Sequence, residues 1–285
     1  MITKYLPFFD LAQIAASGQC FRLKADGNRH TAIHRGFLVE IEQNGPETRF
    51  FCSEDDFENI WKDYFDLDTD YGLFQASVRG DVFLENAAEF GKGIRILKQD
   101  PWEMICTFII SQNRNIPAIR KSVEALCRLF GELCRHGDGT YYSAFPSAER
   151  LHTLNAREKE AFRTQASLGY RDKFILQAAA EVAEKRFSPE DAALLPNDAL
   201  YRRLTALHGV GPKVASCIML YGFHRLDSFP VDVWIKRIVD EVYGGVFDPA
   251  RHEGFQGVIQ QYMFHYYRSL QQKKRVPPQN GRSLI

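Results

Sequence analysis

The chain lacks the features that would commit it to a membrane, a disulfide framework or a metal. No stretch approaches the ~18 consecutive apolar residues of a membrane helix, and the opening MITKYLPFFD has neither the basic start nor the apolar run of an export signal. A protein that stays inside the cell is expected, cytoplasmic or, in a eukaryote, nuclear, with no membrane association. The cysteines Cys20, Cys52, Cys106, Cys127, Cys134 and Cys217 are scattered without a C-x-x-C pair, so they neither force disulfides nor spell a zinc site. Reduced thiols and no metal are expected. No cysteine follows Cys217, which removes the ligands for a late iron–sulfur cluster, and no cofactor is expected. An excess of one charge is missing too, since Lys plus Arg and Asp plus Glu stand at 36 each. Any nucleic-acid binding must then come from a local patch rather than from bulk charge. There is no repeat of fixed period and no low-complexity tract, although the tail QQKKRVPPQNGRSLI is expected to be loosely ordered.

What is present is the composition of a folded protein, with 45% hydrophobic and 13% aromatic residues. A length of 285 residues favours two or three subdomains. Between Phe21 and Cys52, short apolar runs alternate with turn chemistry, and Arg35-Gly36 and Asn44-Gly45 are turn candidates. A small antiparallel sheet is predicted there. From about residue 56 the apolar spacing changes to three and four, beginning with FENIWKDYF and DPWEMICTFII. Helices are predicted over 116–130, 175–185, 198–207, 212–221, 233–242 and 254–270, with Gly or Pro between most of them. The fold class is therefore α+β, with an N-terminal antiparallel β domain with flanking helices over 1–98 and a mainly helical region over 99–285.

The most informative stretch is LTALHGVGPKVASCIMLYGF, a helix–hairpin–helix at about 198–221. Gly209 and Gly211 permit a tight turn that exposes backbone amides, and Pro212 opens the second helix at its first position. Such a turn suits a phosphate, because orphan amides and the helix dipole both favour an anion. A glycine turn between helices is common by itself. About twenty residues later, however, FPVDVW places Asp232 at the entrance to another helix.

The hairpin, Lys213 just inside its second helix and the downstream Pro-Val-Asp-Val together resemble the helix-hairpin-helix glycosylase superfamily. The resemblance is closest to the 8-oxoguanine DNA glycosylase/lyases. SGQCFRL, DPWEMICTFIISQNRNI, SLGYR and GVIQQYMF also look like that family's segments, in the same order. The resemblance implies a sheet domain beside two helical subdomains with a DNA cleft between the helical parts. It implies double-stranded DNA containing 8-oxoguanine as partner and a monomer as the acting unit. The iron–sulfur loop of some related glycosylases has no cysteines to build it here.

By resemblance, Lys213 is the nucleophile that attacks C1′ of the damaged nucleotide and forms a Schiff base, from which β-elimination cuts the strand. A protonated ammonium cannot attack, so the site must supply a neutral amine by desolvation or neighbouring positive charge. Asp232 supports the cationic character that develops at C1′, and as a residue before a helix it is equally a favoured N-cap. Cys217 and Phe264 are the expected faces around the flipped base, and Gln260 the hydrogen-bonding side chain for its Watson–Crick edge. Gln260 and Phe264 share one helical face at i, i+4. On phase alone, Cys217 and Phe264 could equally be core residues. Gly18 resembles the residue whose carbonyl accepts the N7 hydrogen that 8-oxoguanine has and guanine lacks. Asn113, Tyr170 and Arg171 look like the residues that fill the gap left by extrusion and meet the orphaned base, although Tyr170 could simply cover a helix end.

Two positions depart from the animal members. Ala118 stands where they carry an arginine after the Asn-rich turn, and Trp234 where they carry a histidine two residues beyond the aspartate. The first predicts a relaxed preference for the base opposite the lesion, with Arg114 or Arg171 as substitutes. The second removes an expected phosphate contact. The competing readings are a glycosylase for another damaged base and a non-catalytic helix-hairpin-helix DNA-binding module. The module would need neither Lys213 nor Asp232.

Overall fold

The computed structural model describes residues 1–275. Its N-terminal part is a five-stranded antiparallel sheet in the order β1-β5-β4-β3-β2. The strands are β1 (Ile2–Tyr5), β2 (Leu23–Asp26), β3 (Arg29–His34), β4 (Phe37–Asn44) and β5 (Glu47–Phe51). Alternation sets the buried face: Ala32 lies opposite Leu23 and Val39, while Ile41 lies opposite His30 and Phe50. Arg35 and Gly36, with φ of 47° and 81°, form the two-residue turn between β3 and β4, as expected of a hairpin that matches strand twist. The next turn is displaced by one residue from Asn44-Gly45. Asn44 still pairs with Glu47, and Gly45-Pro46 make the loop. The first strand was not legible from the sequence. It is held by pairing with β5, 45 or so residues away.

Two hydrophobic clusters organise the chain. The inner face of the sheet packs with α1 (Leu11–Ala16) and with Phe57, Trp61, Tyr64 and Phe65 from the helical segment that follows. Apart from Leu97, which joins the sheet-side cluster, the buried apolar residues from Tyr71 onward, including those of α2 (Val82–Phe90), belong to the larger helical cluster, and Phe21 reaches into it from the sheet side. At its centre lies α3 (Pro101–Ile110), whose residues Trp102 to Ile110 are all buried. A helix that is apolar on every side must be enclosed, and truncating fully buried Ile109 to Ala should cost about 2–5 kcal/mol. Asp100 caps α3 by accepting from the Glu103 amide at 2.9 Å.

Around α3 stand α4 (Ile116–Phe130), α5 (Asp172–Ala183), α6 (Asn197–Thr205), α7 (Pro212–Tyr221), α8 (Val233–Tyr243) and α9 (Gln256–Arg275). The predicted helices are all present, with ends moved by a few residues. The tail expected to be loosely ordered begins at Gln271. Its first residues continue α9, and the remainder lies outside the described residues.

Sheet and helices meet at a buried polar junction. The Arg95 guanidinium donates to the carbonyls of Phe8, Phe65, Asp66 and Thr69. The Asp66 carboxylate accepts from Thr69 Oγ1 at 2.8 Å and Tyr71 Oη at 3.0 Å and lies 3.3 Å from both Lys98 Nζ and His224 Nε2. Buried Gln19 donates to the Arg95 carbonyl at 2.9 Å and accepts from the Leu97 amide at 2.9 Å. That fixes the SGQC loop against the helical body.

Candidate active site

The hairpin between α6 and α7 is shaped by its first glycine. Gly209 has φ of 85°, and a Cβ there would fall 2.5 Å from Phe174 Cγ, so only glycine fits. Gly211 is different. Its φ is −86°, and nothing lies within 4 Å of where its Cβ would be. As the N-cap of α7 without a capping side chain, it leaves the first amides open to an outside acceptor.

Lys213 follows directly, as the second residue of α7. It is half-buried, with Nζ 5.6 Å from the centre of the Phe108 ring. Phe108 in turn stacks on Tyr221 at 5.4 Å and 14°. One helical turn beyond Lys213, Cys217 is buried. Burial pushes its thiol up, and the charge and hydrogen bond of Lys213 only partly offset this. The thiol is therefore a neutral, soft wall rather than a nucleophile.

Asp232 is the N-cap of α8, with Oδ1 accepting from the amides of Trp234 and Ile235, both at 2.9 Å. The capping role anticipated for it is real. The same bonds aim the carboxylate, because one oxygen is fixed on the backbone and the group lines a cavity shared with Lys213.

That cavity, of about 240 Å³, brings together Gly18, Lys213, Cys217, Asp232, Gln260 and Phe264. Gly18, with φ of 84°, has Ile116 Cδ1 2.7 Å and Phe264 Cε1 3.5 Å from where a Cβ would stand, so any side chain would intrude on the cavity wall. Its loop is tied to α9 by Gln261, whose Nε2 donates to the Ser17 carbonyl at 2.9 Å. Tyr221 Oη donates to Gln261 Oε1 at 2.5 Å and approaches Gln260 Oε1 at 3.4 Å. The Arg268 guanidinium lies 5.2 Å from the centre of the Phe264 ring and also lines the cavity. Gln261, Tyr221, Phe108 and Arg268 were not anticipated. Arg268 had a signal, since it continues the i, i+4 series of Gln260 and Phe264. The others act through partners remote in sequence.

The residues expected to meet the orphaned base divide. Asn113 is exposed with φ of 53°, and its Nδ2 lies 3.5 Å from Tyr170 Oη. Tyr170 is 48% exposed, as a side chain entering a base stack must be. Arg171 departs from the expectation. It is buried, its guanidinium lies under the Tyr170 ring at 4.4 Å, and it donates to the carbonyls of Gln112 and Leu168. Arg114, the other suggested substitute for the missing arginine, donates to Ser122 Oγ at 2.6 Å and to the Ser167 carbonyl. Both guanidiniums are spent on joining loops, and freeing Arg171 would strand the buried Leu168 carbonyl.

Comparison with known proteins finds relatives of the whole chain and of its parts. Residues 1–105 match the family model described as 8-oxoguanine DNA glycosylase, N-terminal domain. The yeast Saccharomyces cerevisiae N-glycosylase/DNA lyase is 37% identical over 177 residues, which is 57% of this chain and 46% of that protein. The match thus spans about half the length of that curated relative. Over nearly the whole chain, the fold superposes on MBOgg1 in complex with a low-affinity DNA ligand (TM-score 0.86, 35% identity, 93% of this chain and 94% of that one). It superposes equally on the Clostridium acetobutylicum 8-oxoguanine glycosylase/lyase bound to duplex DNA with cytosine opposite 8-oxoguanine (TM-score 0.85, 32% identity, 93% of both chains). With that identity sustained over that length, and the hairpin lysine and the capping aspartate meeting in one cavity, the chain belongs to the 8-oxoguanine DNA glycosylase/lyase family of the helix-hairpin-helix superfamily.

Proposed function

We propose that the protein is a bifunctional DNA glycosylase and AP lyase that removes 8-oxoguanine from double-stranded DNA, working inside the cell as a monomer. Residues 1–98 serve as its sheet-bearing domain and 99–285 as its glycosylase region. The single observation that carries the reading is the cavity that collects Gly18, Lys213, Cys217, Asp232, Gln260 and Phe264 from distant segments. The hairpin amides around Gly209 and Gly211 anchor the backbone, and the damaged nucleotide is flipped into the cavity at the cost of a few kcal/mol in unstacking. Tyr170 and Asn113 occupy the gap.

In the cavity the base stacks on Phe264, rests against Cys217 and meets Gln260 along its Watson–Crick edge. The Gly18 carbonyl accepts the N7 hydrogen of 8-oxoguanine. Guanine would instead set a lone pair against that oxygen. The neutral amine of Lys213 attacks C1′, and the glycosidic bond breaks with its electron pair leaving on the base, which takes up a proton. Asp232 stabilises the positive charge on the sugar as this happens. The amine-linked sugar opens to a Schiff base. Loss of a C2′ proton then sends the C–H electrons into the iminium and expels the 3′ phosphate. With Ala118 offering no donor and Arg114 and Arg171 engaged elsewhere, discrimination among opposite bases is relaxed.

The reading predicts a covalent adduct when the enzyme is reduced with borohydride on an 8-oxoguanine duplex. Lys213→Gln should bind that duplex yet give no adduct. Trapping of the variant at the wild-type rate would show that another amine does the chemistry.

A further inference from the structure

Arg268 is not accounted for by the roles above. It stands on α9, one turn beyond Phe264 and two beyond Gln260, on the face that lines the cavity. Its guanidinium is fixed over the Phe264 ring at 5.2 Å. Its Nη1 is buried and has no hydrogen-bond partner among the described residues. Arginine carries five donors in a rigid fork and cannot shed its charge. A buried donor left unmatched is costly, and in a cavity that opens to a ligand it points to an acceptor that arrives with the ligand. Burial drives the guanidinium pKa down, while the negative charge of Asp232 works against that shift. The guanidinium therefore lies within electrostatic reach of the carboxylate assigned to the sugar.

The base and C1′ of the flipped nucleotide already have partners, and the phosphates beside it have none in the cavity. Phe264, Cys217, Gln260 and Gly18 are assigned to the base, and Lys213 and Asp232 to C1′. A guanidinium with a buried, unmatched Nη1 that lines the cavity within reach of Asp232 fits a phosphate, which accepts two parallel N–H bonds. Trp234, close by on α8, lines the same cavity and brings a ring whose only polar group is one indole N–H. We propose that Arg268 binds a phosphate flanking the flipped nucleotide, supplying from the last helix the contact that Trp234 does not make. The proposal rests on the nucleotide-flipping reading above. It adds a second role for Arg268, which also lies against the Phe264 ring.

The test uses Lys213→Gln protein, which cannot turn over, and 8-oxoguanine duplexes carrying an ordinary backbone or a neutral methylphosphonate on the 5′ or the 3′ side of the lesion. Adding Arg268→Leu should weaken binding to the ordinary duplex roughly tenfold or more and lower the salt-dependence slope by about one. A methylphosphonate on one of the two sides should weaken binding of the Lys213→Gln parent by a similar factor while leaving the Arg268→Leu protein unaffected. Arg268→Lys, which keeps the charge but loses the fork, should recover part of the affinity. Equal weakening by Arg268→Leu on charged and neutral backbones, or no weakening at all, would overturn the phosphate assignment and leave Arg268 as a support for Phe264. Failure of the wild-type enzyme to trap under borohydride is a separate result, and it would overturn the functional reading itself.

Discussion

The cavity and the junction beneath the sheet are both rich in buried polar groups, but the two are completed differently. At the junction, Arg95 meets four backbone carbonyls, Asp66 has two hydroxyl donors with Lys98 and His224 beside it, and Gln19 uses both ends of its amide. In the cavity, Arg268 Nη1 is unmatched, and at the hairpin outside it the amides behind Gly211 have no capping side chain. A network satisfied internally makes a rigid seam. Polar groups left open mark where a ligand completes the structure. Substitutions at the junction should therefore alter stability and spare the chemistry, while those in the cavity should do the reverse.

The largest expected effect lies in the cavity. Asp232→Asn preserves the N-cap, because asparagine caps helices as well as aspartate, but removes the charge near C1′. Its single-turnover rate of base release should fall on the order of 100- to 1000-fold, with DNA affinity and melting temperature nearly unchanged. A variant that melts early and keeps its rate would make Asp232 a structural cap and nothing more.

Asp66→Asn is the matching change at the junction. Asparagine tolerates the φ of 52° at this position, so the substitution isolates the charge. Losing it should lower stability by about 3 kcal/mol, as for other broken buried pairs, and leave the excision rate of the folded protein intact. Burial pushes the Asp66 carboxyl up, but the hydrogen bond and charge of His224, with Thr69 and Lys98, outweigh it and hold it below the usual range. Its contribution is complete at neutral pH and fades as the pH falls through the acid range. Urea titrations of both proteins at several pH values would converge at low pH if this is right.

Glu103 sharpens the comparison, because it is buried at neither place. Burial raises its pKa from 4.5 to about 7, with Arg22 pulling down and Asp100 pushing up. The unfolded chain ionises first, so stability is lost as the pH rises from 4.5 to about 7. The loss amounts to about 3 kcal/mol at most. Glu103→Gln should abolish that slope and be the more stable protein at alkaline pH. A wild-type melting temperature that is flat across the interval would contradict it.

The smallest effect concerns the opposite base. A good bidentate contact is worth ~1–3 kcal/mol of discrimination, and without one the excision rates opposite cytosine, thymine, guanine and adenine should lie within roughly tenfold of one another. Single-turnover rates on four duplexes measure this, and Ala118→Arg should spread them apart. A steep cytosine preference in the wild type would mean that Arg114 or Arg171 leaves its carbonyl partners when DNA binds.

How much of this was legible in the sequence follows from the range of the signals. The hairpin, its Pro212 start, the Asp232 cap and the shared face of Gln260 and Phe264 are written within a few residues each, and the structure places them as expected. Alternation between Phe21 and Cys52 likewise foretold the sheet, but not β1, whose pairing partner is remote. The burial of Arg171 was not legible, because an arginine beside an exposed tyrosine carries no local mark of burial. Only the folded carbonyls of Gln112 and Leu168 reveal it. The link from Tyr221 through Gln261 to Ser17 spans three distant segments, and no local pattern encodes it.

That last link also dates the birth of the active site. The hydrogen bond from Gln261 to the Ser17 carbonyl joins positions 244 residues apart, and one wall of the cavity is formed by Gln260 and Phe264 on α9. Domains fold in order as the chain emerges from the ribosome, and contacts this remote form late. The sheet and the hairpin can be in place, with Lys213 already on its helix, while the base pocket still has no far side. A chain stalled before α9 would carry the nucleophile without the pocket that selects its substrate, so acquisition of specificity coincides with completion of the helical body.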